Sequence, residues 1–130
     1  MIIFGHRFIE SDVFYHVLDV DSIRCTPPSS TLYIDFDEND LEIINHANLN
    51  KVSMAITIST ITELIYAASL GAKYIVVPKN RADIMQKIAE NYLFDAKILV
   101  LIEHEKEIEE FAIMGVDGVL FSTAIIRTNS

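Results

Sequence analysis

Apolar residues along this chain follow two rhythms that take turns. Three short runs, Lys73-Tyr74-Ile75-Val76-Val77, Lys97-Ile98-Leu99-Val100-Leu101-Ile102 and Gly118-Val119-Leu120-Phe121, are nearly continuous in Ile, Val and Leu. Strands covered on both faces read this way, as they do in a parallel sheet packed against helices. Val52 to Ile58 and Leu32-Tyr33-Ile34-Asp35-Phe36 add two further strands. Between the runs the apolar spacing turns helical. Asp37 is placed to cap a helix from Glu38 to about Asn48, with Leu41, Ile44 and Ala47 on its apolar face. Thr60-Ile61-Thr62-Glu63 is a capping box, followed by Ile61, Leu64, Ile65 and Ala68 on one face and a stop at Gly71. Asn80 is placed to cap the next helix, whose predicted face is Ile84, Met85, Ile88, Ala89 and Tyr92. The last helix is predicted from about Glu105 to Met114, with Ile108, Phe111 and Ala112 inward and Gly115 as its stop.

These units form a degenerate repeat: Gly71-Ala72-Lys73-Tyr74-Ile75-Val76, Asp95-Ala96-Lys97-Ile98-Leu99-Val100 and Gly115-Val116-Asp117-Gly118-Val119-Leu120. A βα repeat this short builds either an open doubly wound sheet or part of a (β/α) barrel. Five or six strands fall short of the usual eight of a barrel. The expected fold is therefore one α/β domain over residues 1–130, a three-layer α/β/α sandwich around a mainly parallel, five- to six-stranded sheet, flavodoxin-like or half-barrel-like. Residues 1–30 form an irregular N-terminal strand region, and residues 31–123 carry the repeated βα units. Within the first part, Met1 to Phe4 and Val13 to Leu18 read as strands, and Cys25-Thr26-Pro27-Pro28-Ser29-Ser30 as a loop.

Composition narrows the function. A net charge of −9 argues against a nucleic-acid backbone, which needs a basic footprint, and against docking on anionic membranes. No apolar run approaches the ~20 residues of a membrane-spanning helix. The first residues lack the pattern of a signal peptide. With one cysteine there is no internal disulfide. The expected localisation is cytoplasmic.

In sheets of this class ligands bind beyond the carboxyl ends of the strands. That edge offers Asp35, Asp37, Thr57, Ser59, Thr60, Lys79, Asn80, Glu103, His104, Glu105, Ser122 and Thr123. Asp35, Thr57, Ser59, Lys79 and Ser122 are the ligand-binding candidates; Lys79, Glu103 and His104 are the catalytic candidates for an enzyme. Asp35 and Asp37, joined by Glu103 or Glu105, could hold a hard cation such as Mg²⁺. Helix capping explains Asp37, Thr60 and Asn80 equally well. There is no GxGxxG or GxxxxGK[ST] phosphate cradle, no GxSxG elbow and no HExxH, and the four histidines are scattered. No cofactor is expected.

Residues 31–93 resemble the second half of a response-regulator receiver domain. Leu32-Tyr33-Ile34-Asp35 is similar to the strand ending in that family's phosphoacceptor aspartate, and Met54-Ala55-Ile56-Thr57 to the strand ending in its Thr/Ser switch residue. Leu70 to Lys79 is similar to the stretch with the family's lysine, here in the order Pro-Lys. The paired acidic residues that should precede Asp35 are absent, so the resemblance implies a pseudo-receiver that binds partners. Residues 54–126 resemble small phosphate-handling (β/α) barrel enzymes through "LGAKYIVVP" and "MGVDGVLFSTAI". That likeness implies Schiff-base chemistry at Lys79. The leading expectation is a non-catalytic regulatory or interaction module that binds a protein partner or associates with itself through Val13 to Leu18. The alternative is a small-metabolite enzyme of barrel ancestry with its site at the strand ends.

Overall fold

The computed structural model describes residues 1–128. Eight strands alternate with five helices: β1 (Ile2–Phe4), β2 (Phe14–His16), α1 (Val20–Ile23), β3 (Thr31–Asp35), α2 (Glu42–Leu49), β4 (Met54–Thr57), α3 (Ile61–Ser69), β5 (Tyr74–Val77), α4 (Ala82–Asn91), β6 (Lys97–Ile102), α5 (Glu107–Met114), β7 (Gly118–Phe121) and β8 (Ile125–Arg127). Two 3₁₀ turns, Lys79–Arg81 and Ser122–Ala124, follow β5 and β7.

All strands are parallel, in the order β1-β7-β6-β5-β4-β3-β2-β8. From β3 to β7 each new strand is added on the same side of the last. A right-handed crossover repeated without reversal lays every helix on the same face. The buried residues bear this out: Ile44, Leu64, Met85 and Phe111 of the helices pack with Leu32, Ile56, Ile75, Ile98 and Val119. The opposite face holds no α-helical residue; Phe4, Phe14, Tyr33, Ala55, Val76, Leu99, Leu120 and Ala124 fill it.

That inner face is lined because the sheet curls. β7 is hydrogen-bonded to β6 and β1, and three residues later the same chain, as β8, is hydrogen-bonded to β2. The segment from Gly118 to Arg127 therefore belongs to both ends of the strand order, and the sheet closes on it as a barrel. Phe4, Phe14 and Tyr74 plug the inside edge to face, with centroids 4.9, 5.4 and 5.7 Å apart. The expected three-layer sandwich and five- to six-stranded sheet are thus corrected to an eight-stranded curled sheet with helices on one side. β1 and β2 lie within the expected Met1–Phe4 and Val13–Leu18 strands and join the sheet near either end, and the strand with no counterpart in the sequence reading is β8, three residues long.

The repeat shows plainly in the backbone. Helices α2 to α5 are each followed by a residue at positive φ: Lys51, Gly71, Leu93 and Gly115. These stops lie 20, 22 and 22 residues apart, one per βα unit. Several predicted helix details change. Asn80 lies in the 3₁₀ turn and does not cap α4, which starts after Arg81 with no side-chain cap. In α5 Phe111 is buried but Ala112 is exposed. α2 begins at Glu42 because Asp37 caps only a local turn, accepting from the Asn39 N–H at 3.0 Å. α4 buries Ala82, Met85, Gln86 and Ala89, leaving Ile84 and Tyr92 outside. No helix among the described residues is long and apolar enough to cross a membrane.

Candidate functional site

Strand alternation builds the site. The inner-face residues Phe4, Phe14, Tyr33, Ala55 and Leu120 are buried, and Leu101 packs partly buried against them. The residue two further along each strand points to the same side one pleat nearer the carboxyl end. On β2, β3 and β4 those residues are His16, Asp35 and Thr57; His6, Glu103 and Ser122 follow just past the ends of β1, β6 and β7. They form a polar rim over an aromatic plug, at the end of a parallel barrel where catalytic groups gather.

His16 and Asp35 are the best-formed pair of the rim. Nε2 of His16 lies 2.9 Å from Oδ2 of Asp35. The imidazole stands edge-on to Tyr33, with centroids 5.4 Å apart and planes at 87°. A carboxylate on one ring nitrogen sets the tautomer, so the proton sits on Nε2 and Nδ1 is left as the acceptor. Asp35 and Thr57 are register partners on β3 and β4, and the Tyr33 hydroxyl is hydrogen-bonded to the Thr57 side chain. Burial raises the Tyr33 phenol above its ordinary 10.0; the Asp35 charge adds to the rise and the Thr57 hydroxyl opposes it.

Across the rim, Ser122 Oγ donates to Oε2 of Glu103 at 2.8 Å. Behind this pair the β6–α5 loop is held by Glu107. Its Oε2 accepts the backbone N–H groups of Glu103 and His104 at 2.8 and 3.0 Å, and its Oε1 takes the Lys79 ammonium. The Lys79 hydrogen bond and these two N–H groups lower the Glu107 carboxyl from 4.5 to about 2. On the β1 side, His6 Nε2 lies 2.8 Å from Oε1 of Glu105, which also pairs with Arg7. Phe8 N–H donates to His6 Nδ1 at 3.3 Å, so the ring is held at both nitrogens.

Of the residues expected from sequence, Asp35, Thr57, Glu103 and Ser122 come to the rim. Lys79 does not: it is half exposed and bonded to Glu107, outside the apolar pocket that imine chemistry needs. His104 is exposed, and the hydrogen bonds found for it are backbone ones, its N–H to Glu107 Oε2 and its carbonyl accepting the Glu107 N–H. Ser59 is exposed as well; its N–H donates to Glu63 Oε1 at 2.7 Å in the capping box of α3. Asp35, Asp37 and Glu103 do not gather into one group: no group of three His, Cys, Asp or Glu side chains that could hold a metal forms among the described residues. The Val13 to Leu18 surface also shrinks, because Phe14 and Val17 are core and only Val13 and Leu18 stand exposed.

His6 and His16 are the residues that sequence reasoning passed over. For His16 a signal existed, since Phe14-Tyr15-His16 alternates apolar and polar toward the end of a strand. For His6 none did: Gly5, at φ 84, turns the chain after β1, and only the fold shows what that turn approaches. A cleft of about 420 Å³ lies beside the rim, lined by His6, Phe8, Ser11, Thr123 and Ala124. Other clefts, such as that between Thr26, Pro28 and Ser53, open at the amino ends of the strands. No family model and no curated protein matches this chain.

Proposed function

We propose that the protein holds a small polar ligand at the carboxyl-end rim of its barrel, where His16 and Asp35 act as an acid–base pair. One observation carries the reading: the 2.9 Å contact between His16 Nε2 and Asp35 Oδ2 at the ends of adjacent strands. No side-chain nitrogen or oxygen among the described residues is both buried and without a partner, and Nδ1 of His16 has no hydrogen bond among them. Nδ1 is therefore not sealed off, on a side chain 15 % exposed. A proton leaving a ligand hydroxyl or amine would pass to Nδ1, while Asp35 steadies the imidazolium through Nε2–H. The nearby hydroxyls of Tyr33, Thr57 and Ser122, already bonded to one another or to Glu103, would orient it. Location at the strand ends of a parallel barrel adds support by analogy of fold.

This favours the metabolite-site reading over the interaction module, whose receiver-like premise was an open three-layer sheet. Nucleic acid is not the proposed ligand, given the charge of −9. The interaction reading keeps one support, the adjoining Tyr92 and Leu93 after α4, 72 % and 85 % exposed. Ligand-observed NMR against a panel of small polar metabolites tests the proposal. Binders should be lost in His16→Ala and weakened in Asp35→Asn, with both variants folded by circular dichroism. Binding that survives in His16→Ala would move the site elsewhere.

A further inference from the structure

Both ring nitrogens of His6 have partners, and the partners fix its charge state. Nδ1 receives the backbone N–H of Phe8 at 3.3 Å, so it carries no proton. Nε2 faces Oε1 of Glu105 at 2.8 Å and donates to it. Only the neutral ring with its proton on Nε2 satisfies both contacts. The ring is also walled in: its side chain is 6 % exposed, with Phe8 edge-on at 4.1 Å and Phe121 at 5.8 Å. A second proton would set N–H against N–H at Nδ1, and the closed turn leaves that proton little water to turn to. Glu105, on the far nitrogen, cannot relieve this conflict, and its Oε1 is shared with Arg7. β7 and the 3₁₀ turn after it present Phe121, Thr123 and Ala124, which do not titrate. Arg7 and Glu10 are the charged groups of the same segment that line the cleft beside the ring.

We infer that the turn over residues 6–9 is an acid-released latch: protonation of His6 expels the Phe8 N–H from Nδ1 and frees the turn. Histidine is the side chain that changes charge between about pH 5 and 8. Opening gives the new Nδ1–H access to water, so the open turn takes up the proton and gains population as pH falls. Movement is confined to the tip. At its base Ser11 Oγ accepts the Gly5 N–H at 3.0 Å, and Thr123 Oγ1 donates to the Gly5 carbonyl at 3.3 Å. Neither bond involves a group that titrates in this range. The Ile9 N–H, which meets the His6 carbonyl at 3.3 Å, is the second bond that yields. Phe8, 73 % exposed, leaves with the tip, and the cleft of about 420 Å³ beside the rim widens. The latch does not depend on the rim's being a ligand site.

NMR titration from about pH 8 to about pH 5 tests the latch, with the His6 ring protons reporting charge and the Phe8 amide reporting the turn. The Phe8 amide should shift along the same curve as the ring, and its order parameter should fall from about 0.85 to below about 0.6. The amide of Val100, a fully buried strand residue, should not move. His6→Asn offers a side-chain oxygen to the Phe8 N–H and does not titrate, so it should keep the turn ordered throughout. His6→Gln reaches toward Glu105 without an acceptor in the place of Nδ1, so its turn should be loose already at the alkaline end. A Phe8 amide that stays ordered while the His6 ring titrates would overturn the latch, as would a ring that stays neutral to the acid end. A His6→Asn turn that loosens as the native one does would overturn it as well. Loss of order at Val100 together with Phe8 would show general unfolding in place of a latch.

Discussion

Phe4 and Phe14 meet inside the barrel with ring centroids 4.9 Å apart and planes at 62°, although β1 and β2 are not hydrogen-bonded neighbours. The contact joins the first strand of the sheet order to the seventh of eight. It is possible only because the sheet curls, and Tyr74 from the middle strand completes it.

Closure by aromatic packing predicts a large cost at Phe14, which is fully buried. Phe14→Ala should lose about 3–5 kcal/mol in denaturant unfolding. Phe8→Ala, at a side chain 73 % exposed, should stay within about 0.5 kcal/mol. Equal effects of the two would mean that the barrel interior does not hold the fold together.

Gly118 opens β7 where β1 crosses close by. A Cβ there would lie 2.7 Å from the Ile2 carbonyl oxygen and 2.8 Å from Leu99 Cδ2. The carbonyl is backbone and cannot turn away alone, so β1 would have to shift. Gly118→Ala should cost about 1–3 kcal/mol and raise hydrogen exchange selectively in Ile2–Phe4. A neutral substitution with unchanged exchange would show β1 to be loosely seated.

Glu107 makes the fold sensitive to acid over a defined window. Its carboxyl is lowered to about 2 in the fold against an ordinary 4.5, so the charged form is the one the fold favours. Its stabilisation is complete above about pH 4.5 and drains away as pH falls toward 2. The Tm difference between the native chain and Glu107→Gln should therefore be largest near neutrality and close by about pH 2. A difference that is flat with pH would rule out the charge on Glu107 as the source.

Leu93 holds φ 54 at the end of α4 and is 85 % exposed. A branched side chain in this left-handed region is strained, and here it returns little by packing. Leu93→Gly should raise stability by up to about 1 kcal/mol, the strain relief exceeding the added freedom of the unfolded chain. A loss instead would indicate that the Leu93 side chain covers a surface the fold needs.

Part of the site was readable before any coordinates. Asp35, Thr57, Glu103 and Ser122 follow apolar strands, and a strand's carboxyl end is where a parallel sheet displays polar groups. Lys79 and His104 sit at the same edge by sequence yet turn away, because a 3₁₀ turn follows β5 and Glu107 captures both the lysine and the loop. Neither diversion leaves a periodic trace. Pairing across strands was equally hidden: His16 and Asp35 are 19 positions apart and meet only through the register of β2 on β3.

The sequence by itself determined the elements that depend on local pattern: the βα repeat, its central strands, the Thr60 cap and the stops at Gly71 and Gly115. Each needs only periodicity or a single backbone preference, and these are carried by neighbouring residues. Tertiary structure alone decided whether those units would stay open or close. Strand order is a relation between distant segments, and helix periodicity is the same whether helices cover one face or two. Here β3 to β7 add in one direction without reversal, all helices fall on one side, and the segment from Gly118 to Arg127 pairs with both ends of the strand order. That closure turns a polar sheet edge into a rim, and brings His6 and His16 from the least patterned part of the chain onto it.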